Sequence, residues 1–339
     1  MSKILVTGGT GYIGSHTVVE LHNAGYKVVI VDDLSNSDIK ILDQIEKIIG
    51  LKPEFYQFDL CDEAKVKAFS TEHSDISGII HFAASKAVGE SVENPLKYYR
   101  NNFFSLINLL NSFNKTNFVF SSSCTVYGQP DSLPVTESAA VKKAESPYGN
   151  TKQIAEEILT ETAAVTPELN VIALRYFNPV GAHKTALIGE LPNGVPANLV
   201  PFITQSAIGK RGPIMVHGND YNTPDGSAIR DYIHVVDLAK AHVAAIKRLE
   251  SGEADGNYEV FNIGTGKGSS VLEIITAFES STGEKLNYQI GPRRGGDIEQ
   301  IFGDVTKSKE VLKWQTELDI NEMMRSAWEW EKYIKANPF

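Results

Sequence analysis

The sequence predicts an α/β protein, with a doubly wound parallel sheet in the first half and a smaller α+β region completing the chain. Three observations predict it. Short apolar, often β-branched runs alternate with longer stretches of helical spacing as far as residue 175. The first run ends in a glycine-rich turn, TGGTGYIG at 7–14. Beyond Phe177, prolines and glycines crowd at 179, 181, 189, 192, 194, 196 and 201, which breaks regular elements. In order, the runs 3–7, 27–31, 54–58, 78–82, 117–121 and 170–175 read as strands buried on both faces. The stretches 12–24, 37–49, 95–114 and 147–165 read as the helices crossing between them. Later, 235–249, 271–282 and 320–337 carry helical spacing, while 214–217, 259–263 and 286–290 are strand candidates. The break divides the chain into 1–178 and 179–339, with the segment around 230–250 returning to the first part.

Composition narrows the function classes. At 339 residues the chain is about twice the usual single-domain length, and 42% hydrophobic with 22% charged residues is globular rather than disordered composition. Lys and Arg number 32 against 42 Asp and Glu, a net charge of -10 that repels nucleic acid and anionic lipid. No apolar run approaches the length of a bilayer span, and the N-terminus enters a strand-like run with no leader pattern, so a soluble, cytoplasmic protein is expected. Cys61 and Cys124 are far apart and lack CxxC spacing, which argues against a disulfide framework or a zinc knuckle.

Two constellations carry chemistry. Gly8, Gly11 and Gly14 allow a tight turn, close approach of a pyrophosphate to backbone amides, and close packing of the following helix. Taken alone, the same trio also makes a plain strand-to-helix turn. The next strand ends at Asp32, where a carboxylate meets a ribose hydroxyl and repels a 2'-phosphate, favouring NAD over NADP; a solvated strand-end carboxylate is the alternative. Asp59, at the end of the third strand, is placed to meet an adenine or to stand in solvent. The second constellation is Ser123 after the fifth strand, with Tyr148 and Lys152 four residues apart on one helical face. There the ammonium is expected to lower the phenol pKa toward that of a general base. Cys124 has no neighbouring His or Asn to make it a nucleophile and reads as a packed thiol. His81, His234 and His242 lack ligand spacing and read as structural, so no metal is expected. Trp328, Trp330 and Tyr333 read as a helix face packed on the body.

With the glycine turn, HFAASKAVGES at 81–91, SSSCTVYG at 121–128, SPYGNTK at 146–152, RYFNPVGAH at 175–183 and RDYIHVVDLA at 230–239, the chain resembles the extended short-chain dehydrogenase/reductases over essentially its whole length. The resemblance implies a Rossmann-like NAD domain at 1–178 and a UDP-sugar domain at 179–339. It implies an isomerase with tightly held NAD that interconverts UDP-galactose and UDP-glucose at carbon 4 through a 4-keto sugar. Tyr148 is then the base, Ser123 binds the same sugar oxygen, and Lys152 binds the nicotinamide ribose. Tyr12 and Ile13 fall at the pyrophosphate, Asp32, Asn36 and Ser37 at the adenosine ribose, and Asp59 and Leu60 at the adenine. Phe82, Ala83 and Lys86 fall along the cofactor, with Lys86 also on the substrate side, and Asn101 and Phe177 flank the nicotinamide. Asn178, Asn198, Leu199, Arg230, Arg294 and Asp297 fall where the UDP moiety is held, arginine suiting phosphate.

Ile301 falls near the sugar, at a position often tyrosine and smaller in members that admit N-acetylated sugars, so a related epimerase also accepting N-acetylhexosamines stays open. Ala84 replaces a common glycine. Cys124 and Thr125 stand where dehydratases and decarboxylases carry acidic proton carriers, which disfavours elimination. An NAD-binding regulator would need no Ser123, Tyr148 and Lys152 together. The resemblance also implies a homodimer formed through the 95–114 and 147–165 helices.

Overall fold

In the computed structural model, which describes residues 2–294 and 298–339, the apolar runs of the first half become neighbours in one sheet. Its strands are β1 (Lys3–Thr7), β2 (Lys27–Asp32), β3 (Glu54–Gln57), β4 (Ile76–His81), β5 (Asn117–Ser123) and β6 (Asn170–Tyr176). The crossovers are α1 (Tyr12–Asn23), α2 (Ile41–Ile49), α3 (Glu63–Glu72), α4 (Val88–Glu93), α5 (Pro95–Ser112) and α6 (Pro147–Val165). The rest of the chain runs through β7 (Asn178–Val180), α7 (Leu199–Ala207), β8 (Ile214–His217), β9 (Ile229–Arg230), β10 (Tyr232–His234), α8 (Val235–Ser251), β11 (Tyr258–Ile263) and β12 (Ser269–Ser270). It ends with α9 (Val271–Thr282), β13 (Tyr288–Gly291), β14 (Gln300–Ile301), α10 (Thr306–Glu310) and α11 (Ile320–Ala336).

The main sheet has seven strands in the order β11-β6-β5-β4-β1-β2-β3, all parallel. Strand residues serve two cores alternately. Ile4, Val6, Ile30, Ile80 and Val119 face a cluster that includes Val18 of α1 and Ile246 of α8, whereas Leu5, Val29, Ile79, Phe118 and Phe120 face one that includes Leu106 of α5 and Leu159 of α6. That is why these runs are continuously apolar rather than alternating. The sheet order reverses between β1 and β4, which opens the crevice where such folds bind ligands. β11 lies beyond the proline- and glycine-rich break in sequence yet pairs with β6 along its whole length.

The remaining strands form small sheets, β10-β7, β12-β9-β14 and β13-β8. β7, β8 and β10 pack with α7, α9 and α11 around Val180, Ile203, Val216, Phe278, Met324 and Trp328. Trp328 meets Phe278 edge-on at 5.7 Å, and the Trp330 indole donates to the Glu190 carbonyl at 2.8 Å, so this helix face is packed as expected. Boundaries moved where polar residues continue a ladder. β5 runs on through Ser121 to Ser123 because β6 keeps pairing with it, Ser123 opposite Tyr176. α2 starts only at Ile41, since Asp32, Asp33 and Asp38 accept backbone amides in turns before it. α3 and α7 escaped the pattern reading: α3 buries only Val66 and Phe69, and α7 lies inside the proline- and glycine-rich stretch.

Candidate active site

The glycine turn closes onto itself and onto β4. Gly8 has a positive φ of +69°, and a Cβ there would stand 2.9 Å from the Ala83 amide nitrogen; a Cβ on Gly14 would stand 2.1 Å from the Gly8 carbonyl oxygen. Both positions therefore exclude side chains. Among the described residues no side chain caps α1, so the first amides of the helix, at Tyr12 and Ile13, face the crevice end of the sheet. Thr7 and His81 share a hydrogen bond of 2.8 Å across the two strands that flank the reversal, and the Thr7 carbonyl accepts from Phe82 at 3.1 Å. Burial and then the Lys152 charge push His81 down to about 3, so it is a neutral structural link.

Asp32 stands at the end of β2, 8% exposed, and accepts from the amides of Thr10 (3.1 Å) and Leu34 (2.9 Å) and from the Ser37 hydroxyl (3.2 Å). Three donors on about four acceptor positions leave room for a ribose hydroxyl. This crowded glycine cradle beside an anchored carboxylate fits a dinucleotide. Asn36 is exposed and accepts from Asn193 at 3.2 Å. Asp59 is exposed and accepts from the Cys61 amide, Leu60 is buried, and Ala83 donates its amide to the Thr7 hydroxyl. Lys86 is exposed beyond β4, and Asn101 donates to Asn102 at 3.2 Å.

The end of β5 and the start of α6 bring Ser123, Tyr148 and Lys152 together. Ser146 caps the helix by accepting from Gly149 at 3.1 Å, with Pro147 at the first helical position. This places Tyr148 in the first turn, against the Ser123 hydroxyl. Lys152 is 4% exposed; its ammonium donates to the Ser121 carbonyl at 2.5 Å and lies 4.7 Å from the Phe120 ring centre. The expected lowering of the Tyr148 pKa is not what these residues produce. Burial, with Cys124 adding to it, pushes the phenol up to about 12, and only the hydrogen bond with Ser123 opposes this. The physical reason is distance and direction: the Lys152 ammonium is turned to Ser121 and sits 5.9 Å from the Tyr148 ring centre. Burial brings Lys152 itself down to about 8, against the pull of Glu156. Cys124 is buried in an apolar cluster with Val126 and Phe177, and burial pushes its thiol up to about 12, as befits a packed cysteine.

The other predicted residues arrive from separate segments. Ile301 on β14 pairs in register with Arg230 on β9, and Ile301 is 4% exposed in the cluster holding Cys124 and Phe177. Arg230 donates to the Ile229 carbonyl at 2.8 Å. Asn178 opens β7 and donates its amide to the Asp231 carbonyl at 2.9 Å. Asn198 precedes α7, whose first residue is Leu199, and donates to Glu190 at 2.7 Å. Arg294 is exposed beyond β13, and Asp297 lies outside the described residues.

Sequence reasoning missed Asp231. Fully buried next to Arg230, it accepts from the Thr265 amide (2.8 Å) and hydroxyl (2.6 Å) and from the amides of Gly266 (3.1 Å) and Gly303 (3.4 Å). It thus holds three segments around Arg230. The one signal was an acidic residue directly before an apolar strand. His234 caps α8 through the Val236 amide, and His242 bonds the Leu238 carbonyl at 2.8 Å; among the described residues no three His, Cys, Asp or Glu side chains gather as a metal site.

Comparison with known proteins matches residues 4–264 to the NAD dependent epimerase/dehydratase family. Over 332 residues the chain is 48% identical to the UDP-glucose 4-epimerase of Pasteurella multocida, covering 97% of each. It is similar to the UDP-glucose-4-epimerase structure from Stenotrophomonas maltophila with bound NAD and formylated UDP-arabinopyranose, at 45% identity and a TM-score of 0.95 over 99% of each chain. The Bifidobacterium longum UDP-glucose 4-epimerase in complex with NAD+ and UDP gives 44% identity and a TM-score of 0.92, again over 99% of each.

Proposed function

The chain belongs to the NAD dependent epimerase/dehydratase family, and from that premise we propose that it interconverts UDP-galactose and UDP-glucose by inverting carbon 4 of the sugar. The observation that carries this reading is the meeting of Ser123, Tyr148 and Lys152 beside the crevice that holds the glycine turn, with Cys124 and Thr125 in place of the acid pair that elimination needs. Gly8, Gly11, Gly14, Tyr12, Ile13 and Asp32 would hold NAD, with Asn36, Ser37, Asp59, Leu60, Phe82, Ala83, Lys86, Asn101 and Phe177 along it. When bound, NAD supplies the acceptor and donor for the hydride of carbon 4.

The protein does the rest. With its phenol ionised, the Tyr148 oxygen would take the proton of the 4-hydroxyl while Ser123 hydrogen-bonds the same oxygen, and the sugar, on giving up its carbon-4 hydride, becomes a 4-ketone without its stereocentre. Lys152 keeps a positive charge beneath these groups. Asn178, Asn198, Leu199, Arg230 and Arg294 grip the nucleotide and diphosphate, leaving the sugar to turn and present its other face. Tyr148 then returns the proton to the inverted alkoxide. Residues 1–178 would serve the cofactor and 179–339 the UDP-sugar, with β11 completing the first sheet and α8 packed against it.

Leu96, Phe104 and Ile107 on α5 are exposed at 80%, 54% and 40%, and we propose that this face pairs with a second copy. Two free cysteines suit the reducing cytoplasm, where we place the protein. Incubating the purified protein with UDP-galactose and no added NAD tests the reading. Chromatography should show UDP-glucose; no product, or a 4-keto-6-deoxy sugar, refutes it.

A further inference from the structure

We propose that Glu156 is a positioning residue of the same reaction, the third member of a ladder Tyr148, Lys152, Glu156 that grips the serine run at the end of β5. This rests on the epimerase reading above. The three residues follow one another at intervals of four, so they share one face of α6. Each meets a different serine. Tyr148 meets the Ser123 hydroxyl, Lys152 donates to the Ser121 carbonyl, and Glu156 accepts from the Ser122 hydroxyl, which faces α6 by the strand's alternation.

Glu156 is itself held rigidly. Arg175 on β6 donates to it through Nε (3.0 and 3.2 Å) and Nη2 (2.5 Å), and both side chains are less than one-tenth exposed. The Arg175 guanidinium also donates to the Glu137 carbonyl at 3.2 Å and lies 4.9 Å from the Tyr127 ring centre. A buried pair of this kind contributes little net stability relative to apolar residues of similar volume. Its informative feature is its place, one helical turn beyond a buried lysine whose proposed work needs a proton. With Glu156 ionised, the Lys152 ammonium has a negative charge behind it; without that charge, burial alone acts on the amine and favours the neutral form.

The groups around Lys152 can be named element by element. Tyr148 and Glu156 face it from α6, the Phe120 ring and the Ser121 carbonyl from β5, and His81 from β4; Tyr176 of β6 bonds the Ser121 hydroxyl. His81 is held neutral by burial, and Tyr148 and Tyr176 are both pushed up by burial, so Lys152 is the group of this set that changes charge near pH 8.

The test is the pH profile of kcat with UDP-galactose for the wild type, Glu156→Gln, and the double variant Glu156→Gln with Arg175→Met, which leaves no stranded ion in the core. The alkaline limb should move to lower pH by about one unit in both, the scale expected for losing an opposite charge nearby. KM at pH 7 should stay near that of the wild type, and Glu156→Asp should restore most of the limb. A purely packing role would lower kcat evenly across pH. If Glu156→Gln does not fold, the double variant decides. Limbs that coincide with an active wild type overturn this proposal alone. A wild type that does not turn over UDP-galactose overturns the parent reading with it.

Discussion

The end of β5 and the corner formed by β9 and β14 are built in opposite ways. At the first, one strand and one helix supply the proposed reacting groups, and their regular spacing fixes Ser123, Tyr148 and Lys152 relative to one another. At the second, Asn178, Asn198, Arg230 and Ile301 come from four separate short segments; backbone pairing joins Arg230 to Ile301 and Asn178 to Asp231, whose buried carboxylate ties in Thr265, Gly266 and Gly303. Where one helix face repeats, spacing along it sets the proposed reacting groups and a buried network stiffens them, whereas groups drawn from several short segments depend on a shared buried hub.

The largest effect should come from the first region. Tyr148→Phe removes the proposed base and should lower turnover by about 10²- to 10⁴-fold while NAD stays bound. Near-normal turnover would remove Tyr148 from that role. Gly14→Ala should release NAD on gel filtration and lower stability by about 1–3 kcal/mol, the usual cost of overpacking, because its Cβ has a backbone oxygen 2.1 Å away. Gly212→Ala, where a Cβ meets nothing within 4 Å, is the control and should be neutral.

The second region should respond in binding rather than in chemistry. Asp231→Asn turns one acceptor toward backbone donors as a competing donor, at a site surrounded by the amides of Thr265, Gly266 and Gly303. KM for UDP-galactose should rise about tenfold, about 1.4 kcal/mol, with kcat nearly unchanged. A drop in kcat at constant KM would mean that Asp231 serves the reacting end instead.

Much of the first region was legible because its signals repeat: apolar runs at strand length, glycines at fixed spacing, a tyrosine and a lysine one helical turn apart. The second was legible only as a break in pattern, together with family likeness at Arg230, Asn198 and Ile301. Two-residue strands such as β9, β12 and β14 carry no periodicity, and Asp231 looks like any charged residue until three loops close on it. The Tyr148 expectation failed for a related reason. Spacing placed Lys152 on the right face, but could not show that its ammonium turns to the Ser121 carbonyl or that burial governs the phenol.

The remaining prediction concerns stability and does not touch turnover. His16 and His81 are pushed down to about 3, and His234 and His242 to about 4, all chiefly by burial. Between those values and the ordinary 6.5 the unfolded chain binds more protons, so stability should fall as pH drops through this window, by at most about 1.4 kcal/mol per pH unit for each histidine. His242→Leu should make the fall shallower by one histidine's share in chemical denaturation at pH 4.5 and 7. An unchanged slope would show that His242 does not stay neutral in the fold.

In the proposed reaction one hydride leaves carbon 4 and returns to its other face inside the same cleft. Turnover of UDP-galactose deuterated at carbon 4, in ordinary water and without added NAD, measures this directly. The label should be retained at carbon 4 of the UDP-glucose formed. Loss of deuterium to solvent, or its accumulation in released NADH, would contradict the account.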